Sequence, residues 1–204
     1  MEFRFDSIDQ LARYKLLTGV VVPRPIAWVT TCNPDGSINA APFSFFNAFG
    51  TEPGLVALGI GNHPDRPKDT LVNIERSKQF VVNLVPESFA QSMSDSATAY
   101  PAHVSEVSIL DLKTTPSTWV SPPRIAGCPA VLECMWNQTL VVGKNQIVMG
   151  IVQGVFVDDS CMQDPEKHLV ASDKLHLIGR MGGADGYTRT TDRFQIERKP
   201  YIAS

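Results

Sequence analysis

A mainly β fold, an antiparallel barrel with a few flanking helices, is what the sequence predicts, and three observations predict it. Most apolar runs are short, rich in β-branched residues and bounded by Gly, Pro, Asn or Asp. Tight turns join them as hairpins, without the regular helical crossovers that a parallel sheet needs. Few segments carry helical spacing, so closure of the sheet on itself is the way to hide its edges. No repeat and no linker divides the 204 residues. One domain is expected, with a barrel core over about 20–160 and a C-terminal extension over 161–204.

The elements follow in order. Ser7-Ile8-Asp9-Gln10 reads as a capping box. A short helix follows, with Leu11, Tyr14 and Leu17 on one face and Gly19 at its end. Pro23-Arg24-Pro25 excludes a helix and implies extended chain. Residues 26–32 and 37–41 form a hairpin across the turn Asn33-Pro34-Asp35-Gly36. Residues 55–60 read as a buried strand, and 68–76 as a helix with Leu71 and Ile74 inward.

Residues 80–85 read as a strand and 86–99 as a helix, with Phe89, Ala90, Met93 and Ala97 at helical spacing. The Pro-, Ser- and Thr-rich stretch 100–129 reads as a long connection with one short strand near 107–110. Residues 130–142 and 146–157, joined at Gly143-Lys144, form the clearest hairpin. A last strand is expected at 194–196.

Composition excludes several functions. The net charge of −3 argues against a nucleic-acid binder, which needs a concentrated basic surface. No apolar run is long enough to span a bilayer, and the N-terminus carries no signal-like apolar stretch. Cys32, Cys128, Cys134 and Cys161 show no regular framework, so reduced thiols and a cytoplasmic location are expected. Dinucleotide-binding, P-loop and serine-hydrolase glycine motifs are absent. His63, His103, His168 and His176 have no metal-ligand spacing, and no metal is expected.

Two segments carry chemistry. Arg66-Pro67-Lys68-Asp69-Thr70 opens a helix whose first N–H groups are free, beside two cations and a hydroxyl. Free donors and the helix dipole favour an anion there, and a phosphate monoester suits the set. From these residues alone an ordinary solvated helix start, capped by Asp65 or Asp69, is the preferred reading, because charged first turns are common. In the segment 39–49, Phe43, Phe45, Phe46 and Phe49 alternate with Ser44 and Asn47. That mixture suits a flat heterocycle needing apolar faces and a few directed hydrogen bonds, or a core strand.

Pro23-Arg24-Pro25-Ile26-Ala27-Trp28-Val29-Thr30-Thr31, Asp35-Gly36 and Asn39-Ala40-Ala41-Pro42-Phe43-Ser44-Phe45-Phe46-Asn47 resemble the flavin reductase-like, FMN-binding split-barrel family. Lys68-Asp69-Thr70, Asn73-Ile74, Phe80-Val81-Val82-Asn83 and Cys128-Pro129-Ala130-Val131-Leu132-Glu133-Cys134 continue the likeness in order, over roughly 10–190. The tail Gly179-Arg180-Met181-Gly182-Gly183 with Tyr187 is most similar to the flavoredoxin-like branch. It lacks the Gly-Asp-His that many short flavin reductases carry near the C-terminus.

The resemblance implies a six-stranded antiparallel Greek-key split barrel and a homodimer with the flavin near the subunit interface. It implies that the backbone of Val29, Thr30 and Thr31 lines the flavin ring and that Asn39, Ala40 and Ala41 face its polar edge. Ser44, Phe45 and Asn47 would reach the ribityl chain or phosphate, with Arg66, Lys68, Asp69 and Thr70 at the phosphate end. Asp69 would cap the helix or orient Lys68, because a carboxylate repels phosphate. Trp28 would pack beneath the pocket or in the core, Glu133 would serve structure, and Arg180 and Tyr187 would close over the flavin or lie in solvent. The implied cofactor is FMN rather than FAD. The implied activity is hydride transfer from NAD(P)H to flavin, or electron transfer with a partner protein by a tightly held FMN. A non-catalytic flavin-binding module is a further reading.

Overall fold

The computed structural model describes residues 1–63, 65–102, 104–183 and 185–199, so His103 lies outside the described residues. After a 3-10 turn at Phe5–Ser7 come α1 (Gln10–Val20), β1 (Arg24–Pro25), β2 (Ala27–Cys32), β3 (Ile38–Phe43), β4 (Phe46–Thr51) and β5 (Gly54–Ile60). Next are α2 (Asp69–Ser77), β6 (Gln79–Leu84), a 3-10 turn at Glu87–Phe89, α3 (Ala90–Asp95) and α4 (Glu106–Ile109). Two short strands, β7 (Thr114–Thr115) and β8 (Arg124–Ile125), precede the long pair β9 (Ala130–Val142) and β10 (Asn145–Val157). The chain ends with β11 (Met162–Asp164), β12 (Leu169–Val170), β13 (Ile178–Met181) and β14 (Gly186–Arg189).

One seven-stranded sheet dominates, in the order β3-β2-β6-β9-β10-β5-β4, with every neighbouring pair antiparallel. Its edge strands β3 and β4 are consecutive in the chain, separated only by Ser44 and Phe45. The sheet therefore curls until its two edges meet at that bend. There the Gly59 N–H donates to the Phe45 carbonyl at 2.7 Å, and a Cβ on Gly59 would stand 2.9 Å from that of Phe45. Only a glycine allows this approach. With β3 and β4 counted as one bent strand, the barrel has the six strands of a split barrel.

Alternation along the strands divides the core. Val29, Phe43, Leu58, Phe80, Val82 and Val148 fill the barrel, and Leu71 and Ile74 of α2 pack into the same cluster. Trp28, Val81 and Val131 point to the other face, where Met93 of α3 and Ile125 of β8 cover them. The C-terminal hairpin β13–β14 joins β1 in a separate small sheet. It is tied down by Arg24, whose guanidinium donates to the carbonyls of Thr18, Val21 and Gly182 at 2.8–2.9 Å.

Several local expectations are corrected. Asp9, not Ser7, caps α1 by accepting from Ala12 N–H; Leu11, Tyr14 and Leu17 are exposed, and the helix runs past Gly19. The helix expected over 86–99 is a 3-10 turn and a short α3, ended where the Ser96 hydroxyl bonds back to the Met93 carbonyl. Residues 106–109 are helical, not a strand, because Ser105 accepts from Ser108 N–H as an N-cap. Residues 194–196 pair with no strand, and Phe194 and Ile196 are exposed. Among the described residues no helix is long and apolar enough to cross a membrane.

Candidate functional site

The first turn of α2 is the candidate anion site. Its N-cap position is Lys68, and no side chain caps it, neither Asp65 nor Asp69. The N–H groups of Asp69 and Thr70 have no acceptor among the described residues. Lys68 sets its amino group over the Phe43 ring, 5.4 Å from the centroid, and forms no ion pair among the described residues. Burial lowers its pKa from the usual lysine value, and an anion beside it would offset that lowering. Asp69 neither caps the helix nor turns to Lys68. Its carboxylate accepts from Arg66 at 3.0 Å, while the other guanidinium arm donates to the Tyr100 carbonyl at 3.1 Å. Asp69's charge is thereby offset at the point where it would oppose an anion.

Polar side chains fix α2 against the β2–β3 hairpin. Asn39 donates to the Thr70 hydroxyl at 3.0 Å, and Asn73 donates to Thr31 at 3.1 Å and Asn33 at 2.8 Å, all buried. The Thr70 hydroxyl keeps its own proton to donate. On the outer edge of β3, Glu106 of α4 accepts from the Ala40 N–H at 2.9 Å and Ser105 donates to the Ile38 carbonyl at 2.6 Å. Burial and Asp69 raise the Glu106 pKa, against the lowering effect of the Ala40 N–H.

These groups open onto a recess that Asn39, Ala41, Lys68, Asp69 and Thr70 line together with Pro42, Ala97, Tyr100 and Glu106. Pro42 and Ala97 also border a second recess, so the two adjoin. The second is walled by Ile26, Ser44 and Met93 and overhung by Arg180 and Tyr187, with the Arg180 guanidinium 4.7 Å from the Tyr187 ring centroid. Ser44 links it to a third, more open recess holding Phe45, Asn47 and Phe49.

The sequence-predicted residues thus separate into sets. Asn39, Ala41, Lys68, Asp69 and Thr70 share one recess; Ser44 lies between the second and third; Phe45 and Asn47 are exposed in the third. Arg66 lies on an adjoining surface recess with His63 and Tyr100. Val29, Thr30 and Thr31 are fully buried in β2 and line none of these recesses, and Ala40 is buried beside them. Glu106 and the serine-rich end of α3 escaped sequence reasoning. The only local signal was the Ser105-Glu106 pair, an N-cap followed by a first-turn acid.

Neighbouring residues have structural partners. Trp28 is fully buried and donates to Ser96 at 2.9 Å, beneath the first recess. Glu133, also fully buried, accepts from the N–H groups of Thr118 and Trp119 and so pins the loop between β7 and β8. All four cysteines are free, and burial pushes the Cys128 and Cys134 thiols up to about 12, which makes them unreactive.

Comparison with known proteins agrees with this fold. A model of the flavin reductase like domain matches residues 19–195. A protein of Deinococcus radiodurans, itself uncharacterized, is 42% identical over 204 residues, covering 98% of this chain and 90% of its own. The crystal structure of Pseudomonas fluorescens 2-nitrobenzoate 2-nitroreductase NbaA is similar at 34% identity and a TM-score of 0.90, over 100% of this chain and 99% of that one. Nitrilotriacetate monooxygenase component B from Bacillus cereus has the same TM-score of 0.90 at 25% identity, over 96% and 98%. The chain belongs to the flavin reductase like family, and its six-stranded split barrel carries that domain over residues 19–195.

Proposed function

We propose that the protein is an FMN-dependent oxidoreductase that takes its electrons from NAD(P)H. The observation that carries this reading is the uncapped start of α2 beside Lys68, a half-buried amino group with no carboxylate partner among the described residues. The donor set fits a phosphate monoester. The N–H groups of Asp69 and Thr70, the Thr70 hydroxyl and the Lys68 ammonium belong to three residues that line one recess, with Asp69 paired to Arg66. That terminal dianion favours FMN over FAD. From there the groove passes Asn39, Ala41 and Pro42, offering backbone edges and an apolar wall to the rest of the cofactor.

When bound, the flavin supplies the redox chemistry, accepting hydride from nicotinamide at N5. The chain's own residues bind and orient: α2 holds the phosphate, Glu106 fixes the edge of β3, and the β13–β14 hairpin roofs the far recess. No acid or base of this chain is needed for the transfer, and none is assigned as catalytic. The exposed apolar residues Val21, Phe45 and Phe49 around the third recess support a homodimer that covers that face.

Anaerobic stopped-flow mixing of the FMN-loaded protein with NADH or NADPH tests the activity. Bleaching of the flavin absorbance by one of them is expected. A second reading, electron transfer with a partner protein by a tightly held FMN, is favoured by the hairpin that overhangs the groove. Bound FMN that neither nicotinamide reduces would replace the first reading with the second.

A further inference from the structure

We propose that residues 194–196 of one copy add as an antiparallel strand to the open edge of β9 in a second copy. The segment Phe194-Gln195-Ile196 alternates as a half-buried strand does. Yet it pairs with no strand among the described residues, and Phe194 and Ile196 are 85% and 82% exposed. Its base is fixed: the Thr190 hydroxyl donates to the Leu177 carbonyl at 3.0 Å, and Arg193 pairs with Asp173 at 3.4 Å. An anchored, extended arm of this pattern gains order by joining a sheet edge. Main-chain bonds then supply affinity, and alternate side chains supply selectivity.

The matching edge lies on the long hairpin. Pairing of β9 with β6 stops at Met135, and the Trp136 N–H closes it on the Lys78 carbonyl at 2.8 Å. Beyond a register shift at Asn137, residues 138–142 pair only with β10. Gln138-Thr139-Leu140-Val141-Val142 contains no charge and no proline, and Leu140, Val141 and Val142 are exposed. An apolar edge without such guards invites another strand. The ends of the main sheet are less open. Ser105 and Glu106 cover β3, and a bulge between Ala48 and Gly50 interrupts β4.

The occupant is a second copy because the chain's own arm falls short. Leu175, close in sequence to the Asp173 anchor, packs with Ala130 at the start of β9. From Ala130 to Leu140 the strand runs roughly 33 Å, whereas Ile196 is only about 10 Å of extended chain past Arg193. Ile147, opposite Leu140, also lines the third recess, so the edge borders the face offered to a second protomer. With Ile196 opposite Leu140, Phe194 meets Val142 and Asp192 comes beside Lys144, anion against cation.

The proposal does not depend on the flavin reading, and its test reads no flavin. Full-length Leu140→Cys and Ile196→Cys proteins are mixed under mild oxidation and run on a non-reducing gel, beside each variant alone and the wild type. A disulfide-linked dimer is expected from the mixture and from the double variant, and is expected to be absent from the three controls. Hydrogen exchange supplies a second readout. The amides of 138–142 and 195–197 are expected to be protected in concentrated wild type and to lose that protection on dilution. Phe194→Asp combined with Ile196→Asp, both on the exposed arm, is expected to remove the protection of 138–142 and leave the circular dichroism unchanged. No linked dimer from the mixture, linkage within one chain of the double variant, or protection of 138–142 that survives the two aspartates would overturn the proposal.

Discussion

Lys68 does most at the scale of single residues. Its position was legible because helix starts are written locally: a proline, a cation and a hydroxyl within five residues of an apolar periodic segment. What Asp69 does was not legible, since its partner is decided by where Arg66 and the Tyr100 carbonyl lie in space. A pH dependence follows from Lys68. Its folded pKa lies below the ordinary 10.5 because burial disfavours the charged form. The ammonium is present below that lowered value and lost above it, so phosphate affinity declines as pH rises, earlier than an ordinary lysine would allow. FMN dissociation constants measured from pH 7 upward are expected to weaken in the wild type. Lys68→Arg, which stays protonated, is expected to remove that decline.

Among elements, the hairpins were readable because Asn33-Pro34-Asp35-Gly36 and Gly143-Lys144 announce their own turns, with Gly36 at φ 85° and Gly143 at φ 60°. α4 was misread because Val107, Ile109 and Leu110 look like a strand, while the Ser105 cap decides for helix. That helix is short, yet it closes an exposed edge: Ala40 N–H would be a buried orphan without Glu106. Glu106→Ala is expected to cost about 1–3 kcal/mol in urea unfolding, the cost of an unsatisfied donor. Glu106→Gln keeps the acceptor and removes the charge. Since burial raises the wild-type carboxyl above its ordinary 4.5, its contribution is fully present below 4.5 and lost as pH rises through the raised value. The stability of the Gln variant relative to wild type is therefore expected to rise across that window, and a flat difference would contradict the burial of Glu106.

For the molecule as a whole, composition and hairpin pattern were enough for an antiparallel barrel, but closure was not in the pattern. It depends on the two-residue bend at Ser44 and Phe45 and on the missing side chain of Gly59, which bring opposite edges of the sheet together. The placing of the C-terminal hairpin was equally hidden, because Arg24 reaches Gly182 across 158 positions of sequence. Phe45 and Phe49, beside the third recess, are 48% and 66% exposed and offer an apolar face for a second protomer. Light scattering is expected to give twice 22.4 kDa for the wild type and a single protomer for Phe49→Asp. A monomeric wild type would remove the interface from the site.

The phosphate anchor proposed at α2 is tested most directly by titrating the flavin-free protein with FMN and with riboflavin, which lacks only the phosphate. FMN is expected to bind at least about tenfold more tightly, since each charge-assisted hydrogen bond contributes roughly 1.5–3 kcal/mol. Lys68→Ala combined with Thr70→Ala is expected to lose most of that margin while leaving riboflavin affinity unchanged. Equal affinity of the wild type for the two flavins, or a margin that survives the double substitution, would place the phosphate elsewhere.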